Sequence, residues 1–123
     1  MNYGSKILDD IWHLIELFEP HCEDRSTLSK IKEMLGKSNR WPKAHGLFTE
    51  IRHKTLKAEK SGDKRAECQY LFEEICAKTL YNLSRSSAPF DPDSPYWIVP
   101  NALSLSRVIG IPDADCIQAI MRQ

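Results

Sequence analysis

The sequence contains no run of about 18 apolar residues, so no segment is long and apolar enough to span a bilayer as a helix. No stretch alternates strictly between apolar and polar residues, which removes the pattern of a half-buried strand. There is no internal repeat, no Gly-x-Ser-x-Gly elbow, no Walker phosphate loop and no dinucleotide fingerprint. Nucleophilic hydrolysis and nucleotide chemistry thus lose their usual sequence footholds. The opening residues Met1-Asn2-Tyr3-Gly4-Ser5-Lys6 run into Asp9-Asp10 without the apolar core of a signal peptide. Close pairs of metal ligands are missing too. Cys68 and Cys76, His13 and His21, and His45 and His53 each stand eight positions apart. On a helix that is a rise of about 12 Å, too far for two ligands of one ion. His21 and Cys22 are adjacent, and adjacent helical residues diverge. Neither a metal nor another cofactor is expected, and no catalytic residue is assigned.

What is present describes one helical domain. A chain of 123 residues is the ordinary size of a single domain, and 41% apolar residues suffice for one core. The four cysteines, Cys22, Cys68, Cys76 and Cys116, lie within apolar helical patterns. Without an export signal they read as reduced, buried thiols of a cytoplasmic protein.

The apolar spacing is helical nearly throughout. Ile7, Leu8, Ile11, Leu14, Ile15 and Phe18 form a first stripe, with Ser5 as cap and Pro20 as stop. A second helix starts at a cap on Asp24 or Ser26, carries Leu28, Ile31, Met34 and Leu35, and ends at Gly36. Pro42 is suited to open a third helix through Ala44, Leu47, Phe48, Ile51, Thr55 and Ala58, which Ser61-Gly62 stops. Asp63 caps a fourth, lined by Cys68, Leu71, Phe72, Ile75, Cys76, Thr79 and Leu83. Residues 84–101 hold four of the seven prolines and read as an ordered loop. Pro100 then opens a fifth helix that ends at Gly110, and a sixth begins near Pro112. The expectation is an all-α, single-domain bundle of five to six helices over residues 1–123, with the proline-rich loop before the last two.

The net charge is zero, yet charge is segregated along the chain. Residues 1–24 carry −5, residues 25–65 carry +8 and residues 66–123 carry −3. Blocks of this kind create a steering field if they stay together in the fold, and none if they intermix.

Three features are candidate contacts for a partner. Asp9, His13 and Glu16 project opposite the apolar stripe of the first helix, as an acidic face or simply its solvated side. On the fourth helix, Glu67, Tyr70, Glu74 and Tyr81 gather away from the cysteine–leucine–isoleucine stripe. Tyrosines beside acids are interface chemistry if exposed, and core margin if both faces are covered. The loop Pro89-Phe90-Asp91-Pro92-Asp93-Ser94-Pro95-Tyr96-Trp97 restricts its own unfolded chain, which lowers the entropy cost of presenting Phe90, Asp91, Tyr96 and Trp97. The alternative is that its aromatics plug a gap between helices.

Leu103 to Ile117 looks like a helix-turn-helix, with Ser106 four residues before Gly110 and Ile111, Cys116 and Ile117 at the apolar positions. A recognition helix places its first residues against phosphates. Here those residues are Asp113, Ala114 and Asp115, so nucleic-acid binding ranks below an ordinary helical hairpin.

The stretch Ala88 to Ile111, APFDPDSPYWIVPNALSLSRVIGI, together with the small all-helical build, resembles bacterial immunity proteins of contact-dependent growth inhibition and related polymorphic toxin systems. The resemblance covers about a fifth of the chain and implies no catalytic residues. It implies a cytoplasmic antitoxin that binds one cognate protein toxin and occludes its active site. Many such toxins are basic nucleases, for which an acidic face is the complement. A helix-turn-helix regulator is the second expectation. Neither reading assigns a membrane as partner, and neither fixes the oligomeric state.

Overall fold

In the computed structural model the described residues are 3–85 and 98–121. Among them the chain forms six α-helices and no strand, an all-α bundle. The helices are α1 (Tyr3–Phe18), α2 (Ser26–Leu35), α3 (Ala44–Ser61), α4 (Lys64–Arg85), α5 (Ile98–Ile109) and α6 (Asp113–Met121). None is long and apolar enough to cross a membrane.

The apolar spacing of α1 buries Ile11, Leu14, Ile15 and Phe18 on one face. A 3-10 turn at Glu19–His21, carrying Pro20, bends the chain there. Cys22 N donates to the Glu19 carbonyl at 3.1 Å, closing the turn. The cap position of α2 is Arg25, not Asp24 or Ser26, and it has no side-chain capping bond. Asp24, one residue before it, accepts the Ser26 amide at 3.0 Å and the Ser26 hydroxyl at 2.7 Å through Oδ1, tightening the entry to the helix.

The C-terminus of α2 departs from expectation. Gly36 has φ −92°, outside the left-handed region that a glycine cap supplies. The Met34 carbonyl is satisfied instead by Lys37 N at 2.9 Å and the Trp41 indole Nε1 at 2.8 Å. The indole holds the next segment as a 3-10 turn, Ser38–Lys43, with Pro42 inside it. Consequently α3 opens at Ala44 and not at Pro42.

Gly62 does adopt the left-handed conformation, with φ 74°. Gly62 N reaches the Glu59 carbonyl and Asp63 N the Ala58 carbonyl, both at 3.1 Å, so the last turn of α3 is satisfied. Asp63 Oδ1 accepts the Ala66 amide at 3.1 Å and starts α4 as its sequence position predicts. This two-residue turn makes α3 and α4 an antiparallel hairpin. The 22 residues of α4 form the centre of the bundle, packed against α2, α3 and α5. Phe72 of α4 meets Phe18 of α1 edge to face, ring centroids 4.1 Å apart. Such a pair contributes about 1 kcal/mol beyond the area it buries.

The α5–α6 turn repeats the glycine device. Gly110 has φ 99°, and both Gly110 N and Ile111 N donate to the Ser106 carbonyl at 2.9 Å. Ser106 is fully buried, and its hydroxyl turns back onto the Leu103 carbonyl at 2.9 Å. From this turn α6 folds onto both α5 and α1. All four cysteines are free and buried.

Candidate binding surface

Packing α6 on α1 builds a groove from the outer face of one and the flank of the other. Its walls are His13, Glu16 and Leu17 of α1 with Asp115, Gln118 and Ala119 of α6, and its volume is about 290 Å³. Glu16 and Asp115 are exposed, and Asp9 lies exposed farther along α1. No lysine or arginine lines this groove. His13 Nδ1 is enclosed within it and has no hydrogen-bond partner among the described residues. The neighbouring acid Asp113 is occupied. Arg107 grips it with Nε at 3.0 Å and Nη2 at 2.8 Å, which holds the Asp113 carboxyl below the usual range.

Among the described residues, three ion pairs join residues of different charge blocks and reduce the segregation. Lys32 binds Glu19 at 3.2 Å, Lys54 binds Asp24 at 2.8 Å and Arg52 binds Glu74 at 3.3 Å. Within the basic block, Lys30 pairs with Glu50, and Lys37 and Arg40 share Glu33. Asp9, Glu16 and Glu23 of the acidic block remain exposed and make no ion pair among the described residues.

The acid–tyrosine row of α4 is covered to different extents: Glu74 is buried, whereas Glu67, Tyr70 and Tyr81 are partly buried, which is the core-margin arrangement for Glu74 alone. Glu74 and Tyr81 meet side chains of α3, Tyr70 lies between Lys54 of α3 and Asp24 of the α1–α2 corner, and Glu67 reaches a neighbour on its own helix. Glu74 is only 6% exposed, accepting the Thr55 hydroxyl at 2.6 Å as well as Arg52. Tyr70 is half-buried and donates to Asp24 Oδ2 at 2.8 Å. Burial and that acceptor raise the Tyr70 phenol well above its ordinary range. Tyr81 is half-buried beside the His45 ring at 5.1 Å, and the Arg85 guanidinium lies over its ring at 5.5 Å. Glu67 is partly covered and reaches Lys64 at 3.9 Å. Of the loop contacts, Phe90, Asp91, Tyr96 and Trp97 lie outside the described residues.

The α5–α6 hairpin carries its charge where a helix-turn-helix would approach phosphate, and that charge is negative. The first turn of α6 holds Asp113 and Asp115, and the nearby Arg107 is committed to Asp113.

A buried polar cluster under α4 was not anticipated. Glu73 is fully buried and accepts hydrogen bonds from the Thr27 hydroxyl and from Gln69 Nε2, the latter at 2.7 Å. Desolvation pushes its carboxyl up to about 7, although both hydrogen bonds favour the charged form. Its helical position was the available signal. Gln69, Glu73 and Ala77 form an i, i+4, i+8 row directly beside Phe72, Cys76 and Leu80. Below the same corner, burial pushes the Cys22 thiol up to about 12, so it is not a nucleophile. Among the described residues, no three His, Cys, Asp or Glu side chains cluster as metal ligands would.

No protein-family model matches the chain, and no curated protein or solved structure matches it either.

Proposed function

We propose that this protein is a binding protein of the immunity type, which neutralises a cognate protein toxin by covering its active site and catalyses no reaction itself. The observation that carries this reading is the groove between α1 and α6, where Glu16 and Asp115 stand without a cation on either wall. Such a groove accepts the lysine and arginine side chains of a basic surface, and a nuclease active site is one such surface. The resemblance of residues 88–111 to immunity proteins of contact-dependent growth inhibition supports the same class. In this reading the partner is met in the bacterial cytoplasm, and Phe90, Asp91, Tyr96 and Trp97 supply a second set of contacts.

The test is to tag the protein, isolate it gently from its native host and identify what accompanies it. A single stoichiometric protein that is toxic when expressed alone, and that is released by Glu16→Lys with Asp115→Lys, supports the proposal. Nucleic acid released by moderate salt would replace it with the regulator reading, because phosphate contacts weaken steeply with salt.

A further inference from the structure

Glu73 sits at the middle of α4 with 0% exposure. A carboxyl in that position ordinarily has a cation beside it. Among the described residues none lies within ion-pair distance of Glu73. Its partners are neutral, the Thr27 hydroxyl of α2 on one oxygen and Gln69 Nε2 on the other. The same Gln69 nitrogen donates to the Asp24 backbone carbonyl at 2.6 Å. One amide thus ties the buried carboxyl to the corner between α1 and α2. The Asp24 side chain continues the connection outward to Lys54, Ser26 and Tyr70.

The charged and titratable groups coupled to Glu73 come from α3, from the α1–α2 corner and from α4 itself. Lys54 of α3 favours its ionised form and Asp24 of the corner opposes it. Cys22 of the corner and Cys76 and Tyr70 of α4 are all shifted upward, so they stay neutral near pH 7. The Lys54 ammonium is already held by Asp24 at 2.8 Å, so its pull does not offset the loss of water around Glu73.

We propose that Glu73 is a protonation-controlled latch between α4 and the α1–α2 corner, closed when the carboxyl is neutral and loosened when it is ionised. In the neutral state the carboxyl O–H shares the contact with the Thr27 hydroxyl, which can accept as well as donate, and Gln69 Nε2 donates to the other oxygen, so the network is closed within the core. Loss of the proton to solvent leaves a charge held by two neutral donors in a dry site. Moving Thr27 away from α4 admits water, the cheapest relief available. That motion also shifts the Asp24 carbonyl from Gln69. It thereby opens the adjoining cleft of about 240 Å³, walled by Glu23 and Asp24 on one side and Arg65 and Tyr70 on the other. The pH at which Glu73 ionises in the packed protein, about 7, places the transition near neutrality.

The experiment is an NMR titration of the Glu73 side-chain carboxyl in the full chain, with amide hydrogen exchange of residues 22–31 at pH 6 and pH 8. The expected midpoint lies within one unit of 7. Exchange, corrected for its intrinsic pH dependence, should quicken about tenfold from pH 6 to pH 8, because an open, hydrated carboxyl ionises fully over that range. Glu73→Gln should exchange equally slowly at both. A midpoint below 5, or the same tenfold response in Glu73→Gln, overturns the latch. Should Glu73→Gln fail to fold, the unaltered protein decides. Thr27 and Asp24 amide shifts that follow the Glu73 midpoint support the latch, and shifts indifferent to it refute it.

Discussion

Glu16 of α1 and Asp115 of α6 line one groove although they stand near opposite ends of the chain. Two like charges brought together by folding raise the energy of the isolated protein slightly, and a basic partner recovers that cost. This is the relationship on which the proposed binding function rests.

Reversing both charges tests it directly. Glu16→Lys with Asp115→Lys should weaken partner binding by about 100-fold, since close charge pairs across an interface commonly couple by a few kcal/mol. Both sites are exposed, so thermal stability should change little, within about 0.5 kcal/mol each. Isothermal titration calorimetry beside a melting curve separates the two effects. Unchanged affinity would remove the groove as the contact surface.

Glu74 should behave as a structural residue. Glu74→Ala strips the Thr55 hydroxyl of its buried acceptor and removes the carboxylate facing Arg52. A loss of about 2 kcal/mol in urea unfolding is expected, the usual cost of orphaning a buried polar group. An exposed contact residue at that position would cost less than about 0.5 kcal/mol.

Stability should fall as pH rises toward neutrality. The folded-state value for Glu73, about 7, lies above its ordinary 4.5, so the native state binds the proton more tightly than the unfolded one. Its favourable contribution is complete below pH 4.5, is lost progressively up to pH 7, and is absent above that. The total is about 3 kcal/mol for a shift of this size. Asp24 acts oppositely, because Lys54 and Ser26 hold its carboxyl far below the ordinary range. Its contribution is present above about pH 4 and disappears in acid. A stability maximum near pH 5 follows, and Glu73→Gln should flatten the decline on its alkaline side. Urea midpoints measured from pH 4 to pH 8 give the curve.

The glycines should divide by backbone conformation. Gly62 and Gly110 have φ 74° and 99°, with nothing within 4 Å of an added Cβ, so Gly→Ala there should cost about 1 kcal/mol through the backbone alone. Gly36, at φ −92°, tolerates alanine, and Gly36→Ala should be neutral or stabilising by about 0.5 kcal/mol. Melting curves of the three variants beside the unaltered protein check this.

The sequence by itself determined the helices and most of their ends, because those depend on neighbours within a few residues. Ile11, Leu14, Ile15 and Phe18 mark the buried side of α1 by spacing alone, and Asp63 marks the start of α4 by its capping chemistry. The end of α2 at Gly36 was legible locally but the way it is capped was not, because Trp41, seven residues beyond Met34, supplies a hydrogen bond to the Met34 carbonyl. Which faces are covered was decided only by tertiary packing. The acidic row of α1 was legible as a row, but its meeting with Asp115 depended on where the α5–α6 turn aimed α6. The tyrosine–acid row of α4 has a pattern that fits an exposed face or a core margin equally, and only packing decides that Glu74 is buried, against Thr55 and Arg52 of α3. Glu73 shows the same limit most sharply. A carboxylate beside an apolar stripe reads as solvated until α2 places Thr27 against it. Helical period fixes direction around one axis, whereas burial depends on what the rest of the chain lays there.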